Sequence, residues 1–385
     1  MVNNPQQSKL PNVGTTIFSV MSALARDHGA INLSQGFPDF NCDPKLIQWV
    51  QEAMLAGHNQ YAPMPGLPLL RNEISRLQAK LYGAKYDPDT EITISSGATE
   101  ALSVAMAAFI RPGDEVIYFE PAYDAYQPNI ELHGGVSVPL PLSQDGYQID
   151  WDQVRDNLNP KTRAIIINSP HNPTGSTLRP DDIKALKAIL AEHEGIIVIS
   201  DEVYEHMVYD GQPHLSLSAY PEIAARAVVI SSFGKTLHTT GWKVGYAMAP
   251  PALTVEFRKV HQYTVFAVPT PFQHAIARYM QEEEAKILNL KHFYQQKRDY
   301  FLQEMKGSRF EPVPCEGTYF QLMRYDQISE RSEADFSRWL TTEVGVAAIP
   351  VSAFYGHETN AQVVRFCFAK EEETLRRAAE KLQGL

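Results

Sequence analysis

Short runs rich in Ile and Val recur through the middle of the chain, at 91–95 (EITIS), 115–119 (EVIYF), 164–168 (AIIIN), 196–200 (IIVIS) and 227–231 (AVVIS). Runs that are apolar on both faces predict strands of a sheet covered on both sides, as parallel sheets are. Helical stretches separate them, such as 98–110 after the first strand and 180–193 before the fourth, so the pattern reads as repeated βα units. Further on the pattern changes to a helix-like 282–305, short strands at 319–323, 347–350 and 363–368, and a closing helix over 371–382. That is the signature of a smaller α+β unit. The stretch up to residue 39 shows little periodicity. The predicted division is an N-terminal segment, 1–40, packing with the small domain; a large domain, 41–285; and a small C-terminal domain, 286–385.

Composition narrows the function classes. A chain of 385 residues is long for one core, and 44% apolar with 21% charged residues is a globular balance. Lys and Arg number 34 against 45 Asp and Glu, a net charge of −11, which repels phosphate backbones and argues against a nucleic-acid partner. The three cysteines, Cys42, Cys315 and Cys367, are too few and too scattered for a disulfide framework or a CxxC zinc site, so no metal is expected and a reducing compartment fits. No apolar run approaches the ~18–20 residues that span a bilayer. The chain start carries no apolar stretch of the secretory type either, and the expectation is a cytoplasmic protein without a membrane partner.

Four segments carry candidate chemistry, each at a predicted strand end, where open α/β sheets place their ligands. Ser95-Ser-Gly97-Ala98-Thr99-Glu100 runs from a strand into a helix. Free N–H groups and the helix dipole make such a turn a phosphate site, although Ser and Thr there serve equally as plain helix caps. Asn168-Ser-Pro-His-Asn172-Pro-Thr-Gly175 leaves the third strand, as turn chemistry alone would also allow. Asp201, in Ser200-Asp-Glu-Val-Tyr204, follows a very apolar strand, so its carboxylate needs a cationic or hydrogen-bonding partner: a structural ion pair or a protonated ring nitrogen. Lys235, in Ser231-Ser232-Phe-Gly-Lys-Thr236, sits among small and hydroxyl residues, where partial desolvation lowers its pKa and makes it a competent nucleophile.

Taken in order, with Gly241-Trp-Lys243-Val-Gly245 following, these motifs resemble the class I aminotransferases, enzymes of fold type I that use pyridoxal 5′-phosphate. Asn32-Leu-Ser-Gln-Gly36-Phe-Pro-Asp-Phe40 and Cys315-Glu-Gly-Thr-Tyr-Phe320 are similar to the kynurenine and glutamine aminotransferase branch, its bacterial methionine-specific members most of all. The resemblance spans essentially the whole chain. It implies an α/β fold with a large cofactor-binding domain, its mostly parallel seven-stranded sheet flanked by helices, and a smaller α+β domain. It also implies the site. Lys235 corresponds to the lysine that carries the cofactor, Asp201 to the partner of the pyridine nitrogen, and Asn172 and Tyr204 to the donors on the phenolic oxygen. Gly97, Ala98, Thr99, Ser232 and Lys243 correspond to the phosphate cup, and Tyr123 to the ring-stacking aromatic. Tyr61 corresponds to a tyrosine that reaches the neighbouring subunit's phosphate, which implies a homodimer with active sites at the interface. Arg365 corresponds to the clamp on the substrate α-carboxylate, assisted by Gly36 and Asn172, and its planar fork suits that task as no lysine would.

The expected reaction moves the α-amino group of methionine or related apolar and aromatic amino acids, with glutamine and kynurenine as further candidates, to a 2-oxo acid by a ping-pong route. The resemblance makes Phe18, Tyr61, Tyr123 and Phe266 pocket walls, which favours apolar side chains over dicarboxylates. Ala267 stands where kynurenine-type members carry a histidine. A cysteine-S-conjugate β-lyase of the same fold is the alternative, and a non-catalytic cofactor-binding sensor a more distant one, since no basic DNA-binding segment is present.

Overall fold

The computed structural model describes residues 8–11, 13–143 and 145–385, so residues 1–7 and 12 of the expected N-terminal segment lie outside it. That segment is more regular than its sequence suggested. It forms α1 (Ile17–Asp27), capped by the Thr16 hydroxyl, which accepts from the Ser19 N–H at 3.3 Å. Ile17, Phe18, Met21 and Leu24 pack inward, while Val20 is apolar yet exposed and blurs the helical period in the sequence. After α1, β1 (Ile31–Asn32) pairs in parallel with Val346–Ala347 near the other end of the chain. Helices α2 (Pro44–Leu55) and α3 (Pro68–Tyr82) lie against the helix Thr270–Glu282.

The main sheet holds β2 (Ile92–Ser95), β3 (Glu115–Glu120), β4 (Val136–Pro141), β5 (Thr162–Asn168), β6 (Ile197–Asp201), β7 (Ala227–Ser232) and β8 (Gly245–Met248). Their order is β2-β8-β7-β6-β5-β3-β4, and β8 alone runs against the rest. Alternation along each strand divides its side chains between two cores: Val116, Ile166 and Ile199 face one, Ile117, Ile165 and Val198 the other. Both faces are therefore covered, as the uniform Ile/Val runs required. The motif-bearing helix α4 (Gly97–Phe109) lies against β7 and β8.

Two strands of this sheet were not read from the sequence. Strand β4 carries Pro139 and Pro141, opposite Tyr118 and Glu120, and is tolerated because β4 is the sheet edge, where a missing N–H breaks no ladder. Strand β8 is only four residues, Gly-Tyr-Ala-Met, with no branched residue to mark it.

The second sheet is antiparallel, from β9 (Glu311–Pro312), β10 (Phe320–Arg324), β12 (Ile349–Pro350) and β13 (Val363–Cys367), in the order β12-β13-β10-β9, with β11 (Val346–Ala347) paired instead to β1. The single strand expected at 347–350 is thus two, which serve different sheets on either side of Ala348. The helix expected at 282–305 is likewise broken, into Glu284–Leu288 and Leu290–Glu304, and the closing helix runs Glu372–Gln383. No helix among the described residues is long and apolar enough to cross a membrane.

Candidate active site

The carboxyl ends of β5, β6 and β7 and the start of α4 converge on a cavity of about 280 Å³. Lys235, Asp201, Tyr204, Asn172, Tyr123, Ser232, Lys243, Gly97, Ala98, Thr99, Gly36, Arg365 and Phe18 all line it. Tyr61 and Phe266 do not. They form an edge-to-face pair, centroids 5.4 Å apart, with 84% and 44% of their surface exposed, so the wall roles expected of Tyr61 and Phe266 are not met in their own chain's cavity.

Asp201 ends β6 and is 3% exposed. Its carboxylate accepts from Tyr126 Oη at 2.7 Å and from the Val203 N–H at 3.4 Å, and no cation makes an ion pair with it among the described residues. Desolvation pushes its pKa up to about 6 against those two donors. An anion buried in this state is incomplete without a positive partner. Across the cavity, the Lys235 amine is pulled down to about 8, chiefly by desolvation, with the Arg365 and Lys243 cations adding to the fall and Cys367 and Asp201 opposing it. Its Nζ lies 2.8 Å from Tyr319 Oη and 3.3 Å from the Gly36 carbonyl oxygen.

An anion cup opens at the first turn of α4, which no side chain caps. Gly97 has φ +74°, and a Cβ there would lie 3.3 Å from Lys243 Nζ, so glycine lets the amine sit against the helix mouth. Gly245 does the same for β8: a Cβ would come within 2.7 Å of the Ser231 carbonyl oxygen and 2.9 Å of the Ala98 nitrogen. Free N–H groups, the helix dipole, Ser232 and Lys243 together suit a phosphate.

Arg365 projects from β13 and is 1% exposed. Its Nη1 donates to Asn172 Oδ1 at 2.9 Å and its Nη2 to the Ser34 carbonyl oxygen at 3.0 Å, while the buried Nε has no partner. The guanidinium lies 3.8 Å from the Phe320 ring centroid. Burial pulls its pKa down to about 10, which leaves it protonated at neutral pH. Asn172 is held in turn, since its N–H donates to Asn168 Oδ1 at 2.8 Å. Burial raises Tyr204 and Tyr123 above the ordinary phenol range, and both hydroxyls stay neutral.

Several residues that build this site received no role in the sequence. Tyr126, three positions after Tyr123, orients Asp201; Tyr319 and Phe320 touch Lys235 and Arg365; Gln35, Leu102 and Thr240 add wall. Tyr319 and Phe320 did fall within the Cys315–Phe320 motif, the one signal available, whereas a tyrosine such as Tyr126 looks the same in a core as in a site.

A bare buried carboxylate, an uncapped helix mouth with a lysine beside it, and a low-pKa amine between them fit pyridoxal phosphate at its ring nitrogen, phosphate and aldehyde respectively. That set defines a class of enzyme, and the comparisons agree: residues 28–382 match the family of class I and II aminotransferases, and the chain belongs to it. It is a transaminase of the kind that uses pyridoxal phosphate. Among individual proteins it is similar to the methionine aminotransferase of Escherichia coli K12, 49% identical over the full length of both chains. A solved E. coli structure described as identifying a methionine aminotransferase function superimposes with a TM-score of 0.97, at 48% identity over 99% of each chain. More distant are the probable N-succinyldiaminopimelate aminotransferase of Mycobacterium tuberculosis, 39% identical over 98% of each, and human kynurenine–oxoglutarate transaminase 1, 30% identical over 100% and 99%. None of these relatives carries a name that gives a lyase or a sensor.

Proposed function

We propose that this aminotransferase takes nitrogen from methionine and related apolar or aromatic amino acids and passes it to a 2-oxo acid in two half-reactions. The observation that carries the substrate class is the cavity wall. Phe18, Leu102, Tyr123 and Phe320 line it, and its cations are Lys235, Lys243 and Arg365. Each of those three already has a task in the reaction, so none is left for a side-chain carboxylate. The similarity to a methionine aminotransferase supports the same reading.

Bound at this site, pyridoxal phosphate supplies an electron sink that acidifies the Cα–H of the amino acid. Asp201 keeps the ring nitrogen protonated, and the cup of Ala98, Thr99, Ser232 and Lys243 holds the phosphate. Asn172, whose Oδ1 is engaged by Arg365, keeps its amide N–H groups for the phenolic oxygen, where Tyr204 joins it. Tyr123 covers the ring face. Arg365 binds the α-carboxylate in a fork that Asn172 and Ser34 hold in plane, with Gly36 alongside. Lys235, its basicity lowered by burial, takes the Cα proton as a base and returns it as an acid.

Around this core the chain divides as 1–40, 41–285 and 286–385, and two chains form a homodimer in which the exposed Tyr61 reaches the partner's phosphate cup. The enzyme works in the cytoplasm. A panel of amino-acid donors against common 2-oxo acids tests the substrate class: methionine is expected to exceed aspartate and glutamate by at least about tenfold in kcat/KM. A dicarboxylate as the best donor overturns it.

A further inference from the structure

We propose that Tyr319 is a positioning residue for Lys235: its oxygen, with the Gly36 carbonyl, forms a rest site that holds the ε-ammonium between accepting a proton and returning it. This inference rests on Lys235 being the proton carrier. Three distances define the arrangement: Lys235 Nζ to Tyr319 Oη 2.8 Å, Nζ to Gly36 O 3.3 Å, and Tyr319 Oη to Gly36 O 2.5 Å.

The direction of the hydrogen bonds decides the role. The single Tyr319 proton goes to the Gly36 carbonyl, so a lone pair on Oη is what faces the amine, and both oxygens accept from nitrogen. Such a pair favours the charged form over the neutral one. An ammonium made by accepting the Cα proton therefore finds two acceptors already in place. Tyr319 is itself immobile. It is 0% exposed, its ring meets Tyr204 edge-on at 5.2 Å and Tyr294 at 5.6 Å, and burial raises its pKa far out of range, so it offers an oxygen without competing for the proton. The other charged or titratable groups acting on the amine are Asp201, Arg365, Lys243 and Cys367, and none of them makes a hydrogen bond to it.

The arrangement also joins three separate parts of the chain. Lys235 follows β7, Tyr319 directly precedes β10, and Gly36 lies just after β1 in the segment that closes the cavity over Arg365. A lysine at rest thus ties the segment to the proton carrier.

The test is Tyr319→Phe, which keeps the ring packing and deletes only the oxygen. In the apoprotein, the pH at which Lys235 is half-reactive toward an amine-directed acylating reagent, read by peptide mass, is expected to fall, because the ammonium loses an acceptor. In the loaded enzyme kcat is expected to drop about tenfold with KM for methionine within about twofold, and the α-deuterium isotope effect on kcat to rise. An unchanged apoprotein pH profile together with an unchanged isotope effect overturns the rest site, whatever happens to kcat. Lys235→Ala serves as the separate control: if it still transaminates, the role of Lys235 is wrong, whereas an inactive Lys235→Ala beside a wild-type-like Tyr319→Phe refutes the rest site alone. Should Tyr319→Phe not fold, Gly36→Ala offers a second route, since its Cβ would press on the Phe320 ring at 2.9 Å and displace the Gly36 carbonyl. The apoprotein pH profile is expected to fall there too, and no shift refutes the role of that carbonyl.

Discussion

Burial of Asp201 costs stability in the apoprotein, where no cation pairs with it among the described residues. Its carboxyl titrates near 6 when folded against 3.8 when unfolded, so between those values the folded chain binds more protons. The cost is therefore absent below about pH 4, grows as pH rises through 6, and reaches about 3 kcal/mol above it. Asp201→Asn is expected to stabilise the apoprotein by up to that amount at pH 7.5 and by roughly half as much at pH 5, measured by urea unfolding, while abolishing transamination. A variant less stable than the parent at pH 7.5 would show that the carboxylate is not strained. At this scale the motifs were informative where chemistry demands an unusual residue: an acid after an apolar strand, a lysine among hydroxyls. Tyr126 carried no such mark and Tyr319 only its place in the Cys315–Phe320 motif, because their function lies in what the hydroxyl meets and not in the residue type.

Among the elements, the βα units were legible because burial on both faces leaves Ile and Val in uniform runs, and α4 because a helical stretch follows Gly97 directly at a strand end. What escaped were elements that depend on their place in the sheet: β4, whose prolines an edge position tolerates, and β8, which pairs on both sides. Strand β8 also lies against the first turn of α4, where the anion cup opens. Gly245→Ala would place a methyl group against the Ser231 carbonyl and the Ala98 nitrogen, both backbone, so strand and helix have to part. The expected result is a loss of about 1–3 kcal/mol in the unfolding of the apoprotein and weaker binding of pyridoxal phosphate, measured by equilibrium dialysis. Unaltered affinity would mean that the cup does not depend on this approach.

At the level of the whole molecule, the site exists only because distant segments meet. The Arg365 fork lies 193 residues from Asn172 and 331 from Ser34, yet hydrogen-bonds to both. In the proposed homodimer, the exposed Tyr61 extends that logic to a second chain. Tyr61→Phe is expected to leave the protein dimeric by sedimentation and to weaken retention of the cofactor on ultrafiltration, and a parent protein that sediments as a monomer contradicts the shared site. The linear order of residues, by itself, determined the class of fold and the strand ends that meet at the cavity, because these follow from local burial and from motifs that lie at those ends. Only the tertiary structure decided which tyrosine faces the lysine, which ring lies against the guanidinium and how deep the anion cup is, because those depend on contacts across the sheets that no local pattern encodes.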